Sequence, residues 1–130
     1  MNLLRATALA ALLSLSAFAD NPACHGSQGA NETTVSVSAA GATTLVAAAG
    51  GQIVHVCSIS LSMPAANTVT FQGSDATVLD GPYSIVSYYV AWDGQLTTRR
   101  AASGSAFQIK LLNAPAAAFG VTVIYYFSAF

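Results

Sequence analysis

The sequence predicts an all-β protein: an antiparallel β-sandwich or jelly-roll-like domain of about eight short strands, preceded by an apolar N-terminal leader helix. From residue 33 onward, short alternating runs are separated by Gly, Pro, Asn and Asp at intervals of about 8 to 12 residues, which is typical of sandwiches and barrels. Hydrophobic residues make up 54% of the chain, which suits two half-buried sheets that share one core. No run after the leader has a convincing helical pattern.

The first 19 residues have the pattern of an export leader. A short basic start ends at Arg5, residues 6–17 are uninterrupted apolar and small side chains, and Ala17-Phe18-Ala19 matches the A-x-A site of signal peptidases. We therefore expect cleavage before Asp20. The apolar stretch is also shorter than the roughly 20 residues of a membrane span, so we expect no membrane association after leader removal.

The domain organisation follows from this leader. We predict a signal-peptide-like segment over residues 1–19 and a single β-sandwich domain over residues 20–130. The alternative is that residues 1–19 stay in the mature protein as an apolar helical arm, because Ala and Leu are strong helix formers.

The first three predicted strands cover residues 33–38, 43–48 and 52–62. The first two alternate Thr or Ser with apolar side chains, and Gly50-Gly51 closes the second. The third is the clearest run, and strict alternation assigns five residues to one face. These residues are Ile53, His55, Cys57, Ile59 and Leu61, opposite Val54, Val56, Ser58 and Ser60.

Turn residues separate the next predicted strands. A break at residues 63–67 precedes a strand over 68–72, and Gly73-Ser74-Asp75 reads as a turn before a short strand over 76–79. Asp80-Gly81-Pro82 is predicted to form another turn. An aromatic strand over 83–92 follows it.

The last predicted strands complete the set. Asp93-Gly94 is a strong hairpin signal between 83–92 and 95–100, and residues 105–112 alternate again after a turn at 102–104. The closing strand, 121–127, has an apolar set on each face, which is typical of sheet interiors or subunit interfaces. One face carries Val121, Val123, Tyr125 and Phe127, and the other carries Ile124 and Tyr126.

Charged residues are scarce, at four basic and five acidic residues in 130. Without Arg5 the mature chain has three basic and five acidic residues, hence a net charge of −2. Nucleic-acid binding requires clustered Lys and Arg, so we expect no nucleic-acid partner. A surface with so little charge is poorly suited to an isolated soluble monomer, which indicates that neighbouring copies cover it.

The same scarcity argues against catalysis. The two histidines, His25 and His55, are not near a G-x-S-x-G elbow, and His55 is expected to be packed rather than catalytic. Asp75, Asp80 and Asp93 lack the D-x-D-x-D pattern of a calcium loop. We predict no catalytic residue, no cofactor and no metal.

Two features remain as candidate sites. Cys24 and Cys57 are an even pair in an exported chain and predict a disulfide, either within one chain or between chains, worth about 4 kcal/mol in the chain-entropy model. Exposed aromatic side chains and an arginine pair predict an interface, because aromatic faces offer large contact area at low entropic cost. The candidate interface residues are Tyr88, Tyr89, Trp92, Arg99, Arg100, Tyr126 and Phe130.

Several short motifs together resemble one class of proteins. They are Thr43-Thr44-Leu45-Val46-Ala47, the run from Gly50 through Ile53-Val54-His55-Val56-Cys57, Asp80-Gly81-Pro82-Tyr83, Ser103-Gly104-Ser105-Ala106-Phe107, and the closing strand over 120–130. This succession resembles small β-rich virion structural or decoration-type proteins of tailed phages and related metagenomic sequences. Other members of that class often have a Gly-rich, Cys-containing hairpin after the third strand, which is replaced here by the short Gln72-Gly73-Ser74-Asp75.

The resemblance implies a non-enzymatic structural protein that oligomerises, a trimer being one arrangement, or that coats a larger assembly at a virion surface. Its partners would be copies of itself and a capsid or surface protein. One alternative is a secreted, extracellular bacterial surface or matrix protein that binds glycans through the same aromatic residues. A weaker alternative is a secreted hydrolase with an unrecognised site.

Overall fold

A computed structural model describes Cys24, residues 30–86, 88–92 and 100–129, with the backbone alone for 88–92. Eight strands lie in these ranges, and the predicted leader, 1–19, lies outside them. The strands are β1 (Asn31–Val37), β2 (Gly41–Val46), β3 (Gln52–Met63), β4 (Asn67–Gly73), β5 (Val78–Ile85), β6 (Tyr88–Trp92), β7 (Phe107–Leu111) and β8 (Phe119–Ala129). No helix within the described part of the chain is long and apolar enough to cross a membrane.

The strands form two four-stranded antiparallel sheets. Sheet A has the order β1-β8-β3-β6, and sheet B has the order β2-β7-β4-β5. The chain forms one long hairpin, because β1 pairs with β8, β2 with β7, β3 with β6 and β4 with β5. When such a hairpin wraps so that successive strand pairs lie alternately in two facing sheets, the fold is a jelly roll. The predicted fold class is therefore confirmed.

The core lies between the two sheets and is entirely hydrophobic in its fully buried part. Phe71 of β4 and Phe107 of β7 are stacked at a centroid distance of 5.8 Å in its centre. Burial of each such side chain stabilises the fold by about 1.5–3 kcal/mol. The largest side chains with under 2% exposure are Phe71, Phe107, Ile59, Leu61, Ile109, Leu111, Val37, Val54, Val56, Val69 and Val121.

A β-bulge in β3 corrects the predicted alternation of that strand. Val56 pairs with Tyr125 and Ser58 pairs with Ile124, so Cys57 is an extra residue without a partner in β8. The bulge shifts the alternation by one residue. Before it, Val54 and Val56 face the core. The prediction that places Ile53 and His55 on the face of Ile59 and Leu61 is therefore wrong, because strict alternation holds only in an unbulged strand.

Strand β5 contains the residues predicted to form a turn. Asp80 pairs with Phe71 and Tyr83 pairs with Val69, so two residues, Gly81 and Pro82, bulge from the ladder instead of ending it. Gly81 has φ +95°, and a Cβ there would lie 2.9 Å from the carbonyl oxygen of Val69. Only glycine fits this position without strain. The predicted aromatic strand 83–92 is divided between β5 and β6.

Beyond β6, the described chain resumes beside β3 of sheet A. Arg100 forms an isolated antiparallel bridge with His55, and the Ala101 N–H donates to the Val54 carbonyl at 3.2 Å. β6 pairs with Ile59 to Met63, so both halves of β3 have a neighbour on this side. The predicted hairpin signal Asp93-Gly94 and most of the predicted strand 95–100 lie outside the described residues.

Candidate interaction surface

The outer face of sheet A carries the described aromatic surface of the chain. Because β3 and β8 pair with His55 opposite Tyr126 and Ile53 opposite Ser128, these four side chains share the face directed away from sheet B. Ile124 lies on the same face, opposite Ser58 beyond the bulge. All of these side chains are half-buried. We refer to Ile53, His55, Ile124, Tyr126 and Ser128 as the aromatic patch.

His55 contacts two other members of the aromatic patch. Its ring is stacked on Tyr126 with centroids 4.6 Å apart and an interplanar angle of 4°. Its Nε2 is 2.7 Å from the Ser128 hydroxyl. Partial burial, and secondarily the positive charge of Arg100, lower the pKa of His55 below its ordinary value. The ring is therefore neutral at neutral pH, and the patch is an uncharged surface.

The rest of the outer face consists of small hydroxyl side chains. Thr34 and Thr122 are 2.9 Å apart through their hydroxyl oxygens, across the β1–β8 ladder. Thr122 also pairs with Ser60 of β3, so one row of hydroxyls crosses three strands. Among the described residues, charge on this face is limited to Glu32 and Arg100, which are both exposed. Among its described residues the face has no net charge and is rich in hydroxyl groups.

The Ser128–His55 pair raises the question of hydrolysis. A neutral imidazole bound to a serine hydroxyl is the start of a catalytic triad, but an acid must orient the base. The contacts that the structure records for His55 are to Tyr126, Ser128 and Arg100. Arg100 is a cation and would disfavour the imidazolium that forms during catalysis. The pair therefore fits an ordered surface better than a nucleophile.

Two of the predicted interface residues meet here. Tyr126 lies in the aromatic patch, and the backbone of Arg100 lies beside His55 at its margin. Tyr88, Tyr89 and Trp92 lie in β6, opposite Met63, Ser62 and Ile59 at the far edge of sheet A. Their side chains lie outside the described part of the structure, as do Arg99 and Phe130. The role of all these residues as an interface stays a prediction.

The aromatic patch is not recognisable as a unit in the sequence. His55 and Ser128 are 73 residues apart in sequence, so only the register between β3 and β8 brings them together. The apolar second face of the last strand was the one available signal, and it pointed to Ile124 and Tyr126.

The predicted disulfide joins Cys24 to Cys57 within one chain, with Cα atoms 5.6 Å apart. Cys57 is buried, with 5% exposure, and it is the extra residue of the β3 bulge. The bridge therefore attaches the N-terminal segment to the middle of sheet A, beside the aromatic patch.

A shallow groove of about 370 Å³ lies on the outer face of sheet B. It is lined by Thr68, Thr70 and Gln72 of β4, by Lys110 of β7, and by apolar side chains that include the exposed Val78 and Leu112. Gln72 donates to Gln108 at 3.2 Å, and Gln108 donates to Thr44 at 3.2 Å. These bonds fix the amide groups beside the groove.

Asp75 and Asp80, the two described members of the acidic set, have local structural roles. Asp80 accepts from the Gly81 N–H at 2.8 Å and from the Tyr83 hydroxyl. Asp75 accepts from the Thr77 hydroxyl and N–H, and these bonds lower its pKa. No group of three or more His, Cys, Asp or Glu side chains in the described part could hold a metal ion. Asp93 lies outside that part.

Comparisons with known proteins give one structural similarity. No protein-family model and no curated protein matches the chain. A chain of the "acidic stable capsid structure of Helicobacter pylori bacteriophage KHP30" is similar in structure, with 16% sequence identity and a TM-score of 0.46. The match covers 78% of this chain and 90% of that chain.

Proposed function

We propose that this protein is a non-enzymatic structural subunit that associates with copies of itself or coats a larger assembly, as a virion component of the capsid-decoration type. The outer face of sheet A is the observation that carries the proposal. It presents half-buried Ile53, Ile124 and Tyr126 within a field of hydroxyl groups, with charge kept to its margins. Surfaces whose centre is depleted in charge and enriched in aromatic groups are typical of protein interfaces.

The order of the patch adds support. The Tyr126 ring is held by its stack on His55, and His55 is held by Ser128. A side chain that is already fixed loses little conformational entropy when a partner covers it. The aromatic patch is therefore preorganised for contact with a second protein surface.

The jelly-roll topology is compatible with the proposal but does not select it. Jelly rolls serve as viral capsid domains and as lectins, so the fold admits both a structural and a glycan-binding role. The virion setting rests on the sequence motifs described above. The neutral outer face of sheet A supports the wider claim of assembly.

The association state of the mature chain tests this function. We expect light scattering across a dilution series to give a mass that is a multiple of the chain mass, and Ile124→Lys to lower that mass. Ser84→Lys, on an exposed residue of β5 that pairs with Thr68, is the matched control and should leave it unchanged. A wild-type monomer at every concentration, with no binding to a larger particle, would contradict the proposal.

The groove on sheet B favours a second candidate function, glycan binding at a bacterial surface. Its hydroxyl, amide and ammonium groups could bind the hydroxyls or a carboxylate of a sugar, and its apolar side chains could contact the sugar ring. A glycan array with wild type and Lys110→Met tests this candidate. Binding that is lost in the variant would support it, whereas an array without binding would exclude it.

A further inference from the structure

β1 forms an edge of sheet A that no other described strand covers. β1 pairs with β8 through all seven of its residues, from Asn31 opposite Tyr125 to Val37 opposite Phe119, without a register shift. On its other side no described strand pairs with it. Every second residue of such a strand directs its N–H and C=O groups away from the sheet, so β1 is a template for another strand.

The other described edges are protected against strand addition. β2 begins at Gly41, with φ +89°, and has a register shift between Thr44 and Val46. β5 contains Pro82, which has no N–H, and two register shifts. β6 has only five residues. Bulges, proline and short length are the usual devices that block edge pairing, and β1 has none of them.

We propose that β1 pairs with β1 of a second copy, antiparallel and about a two-fold axis at Thr34, so that the two A sheets become one eight-stranded sheet. The inference rests on the proposed assembly function and names the contact that forms it. Pairing of all seven residues would supply about six to eight backbone hydrogen bonds. It also leaves the aromatic patch of each copy free for other contacts.

The side chains of β1 favour a second copy as the occupant. In this register Glu32 lies opposite Ser36 of the second copy, so no like charges face each other. The core-facing Thr33 lies opposite Val35, a pair of β-branched side chains that suits a sheet. Thr34 lies opposite Thr34 of the second copy.

The row of hydroxyl groups formed by Thr34, Thr122 and Ser60 on the outer face of sheet A favours the same register. Thr34 already bonds Thr122, and Thr122 pairs with Ser60. A two-fold axis at Thr34 continues this row through the second copy without a break. The row is then a continuous ladder of hydroxyl groups on one face of the joined sheet.

Charge substitution at Thr34 tests the pairing. Thr34→Lys and Thr34→Glu each place two like charges opposite each other, and we expect both to raise the dimer dissociation constant at least about tenfold. An equimolar mixture of the two variants places Lys opposite Glu and should restore the dimer. Sedimentation equilibrium measures each constant, and circular dichroism verifies that the variants are folded.

The matched control is Thr44→Lys. Thr44 is also an exposed threonine on an edge strand, and it also has one side-chain hydrogen bond to the neighbouring strand. We expect this variant to associate like wild type. Equal loss in Thr44→Lys and Thr34→Lys would show a general charge effect and would overturn the proposal.

Hydrogen exchange of wild-type β1 gives a measurement that needs no substitution. The outward amides of β1 should exchange more slowly as concentration rises. If the protein assembles but the β1 amides gain no protection and the Thr34 variants associate like wild type, this inference fails and the assembly function stands. If wild type stays monomeric, this inference fails, and if that monomer also binds no larger particle, the assembly function fails too. Protected β1 amides in that monomer would indicate that its own N-terminal segment covers the edge.

Discussion

The imidazole of His55 lies parallel to the ring of Tyr126, with a centroid distance of 4.6 Å, and joins β3 to β8 on the outer face of sheet A. Burial and the charge of Arg100 both lower the His55 pKa. These two causes favour a neutral ring, and the protonation of His55 therefore links the aromatic patch to pH.

Acidification should weaken the fold through His55. The unfolded chain binds a proton at His55 below about pH 6.5, whereas the folded chain binds it only at lower pH. Between these two values the unfolded state holds more protons, so the free energy of unfolding falls as pH falls through this window. Urea unfolding at a series of pH values should show this loss in wild type. His55→Gln should lose less stability over the same pH range, because it lacks this titrating group. His25 is present in both proteins, so the difference between them reports on His55.

The Arg100 contribution can be tested separately. Arg100→Gln removes the positive charge, so the pKa of His55 should rise toward its ordinary value without reaching it, because burial is the larger cause. NMR titration of the imidazole measures the change. An unchanged pKa would contradict the assigned role of Arg100.

Reduction of the Cys24–Cys57 bridge should destabilise the protein by about 4 kcal/mol, because the bridge closes a loop with a sequence separation of 33 residues. Denaturant unfolding with and without dithiothreitol measures the difference. The double variant Cys24→Ser/Cys57→Ser is the control, and its stability should not respond to dithiothreitol. A wild-type stability that is equally insensitive would show that the bridge contributes nothing.

Gly81→Ala should cost about 1–3 kcal/mol, because the new Cβ meets the Val69 carbonyl oxygen at 2.9 Å at a residue with φ +95°. Gly50→Ala is the matched control, since a Cβ at Gly50 meets nothing within 4 Å. We expect that variant to stay within about 0.5 kcal/mol of wild type. Thermal or urea unfolding of the two variants, compared at one pH, measures both effects.

Phe107→Ala should cost about 3–5 kcal/mol, because it removes a fully buried ring that stacks on Phe71 and leaves a cavity between the sheets. Val78→Ala, at a side chain that is 58% exposed, should change stability by less than about 0.5 kcal/mol. Urea unfolding compares the two. Similar losses would mean that the core does not lie where the structure has it.

Local sequence patterns predicted most of the fold, because a strand with one buried face must alternate. The core side of β8 is a clear case, and Val121 and Val123 are fully buried as expected. The β3 bulge was hidden because Cys57 is itself apolar and fits either alternation. The Asp80-Gly81-Pro82 prediction failed because residues that form turns also form bulges within strands.

Prediction of the aromatic patch requires the pairing between strands that are distant in sequence. Tyr126 was predicted from the apolar second face of β8, but its partner His55 was assigned to the opposite face of the sheet. One inserted residue in β3 reverses that assignment. The position of β1 at an edge of sheet A among the described strands follows from strand order, which the succession of runs along the chain does not contain.

The disulfide also has a mechanical consequence. The start of β1 and the end of β8 lie at the same end of sheet A, since Asn31 pairs with Tyr125. Tension between the two chain ends would then break the hydrogen bonds between β1 and β8 one after another. Such sequential rupture offers little resistance to the applied force. With the bridge formed, a load that enters through Cys24 passes directly to Cys57 in the middle of the sheet. β1 and β2 then carry no tension, and the β1 edge keeps its shape while the subunit is pulled.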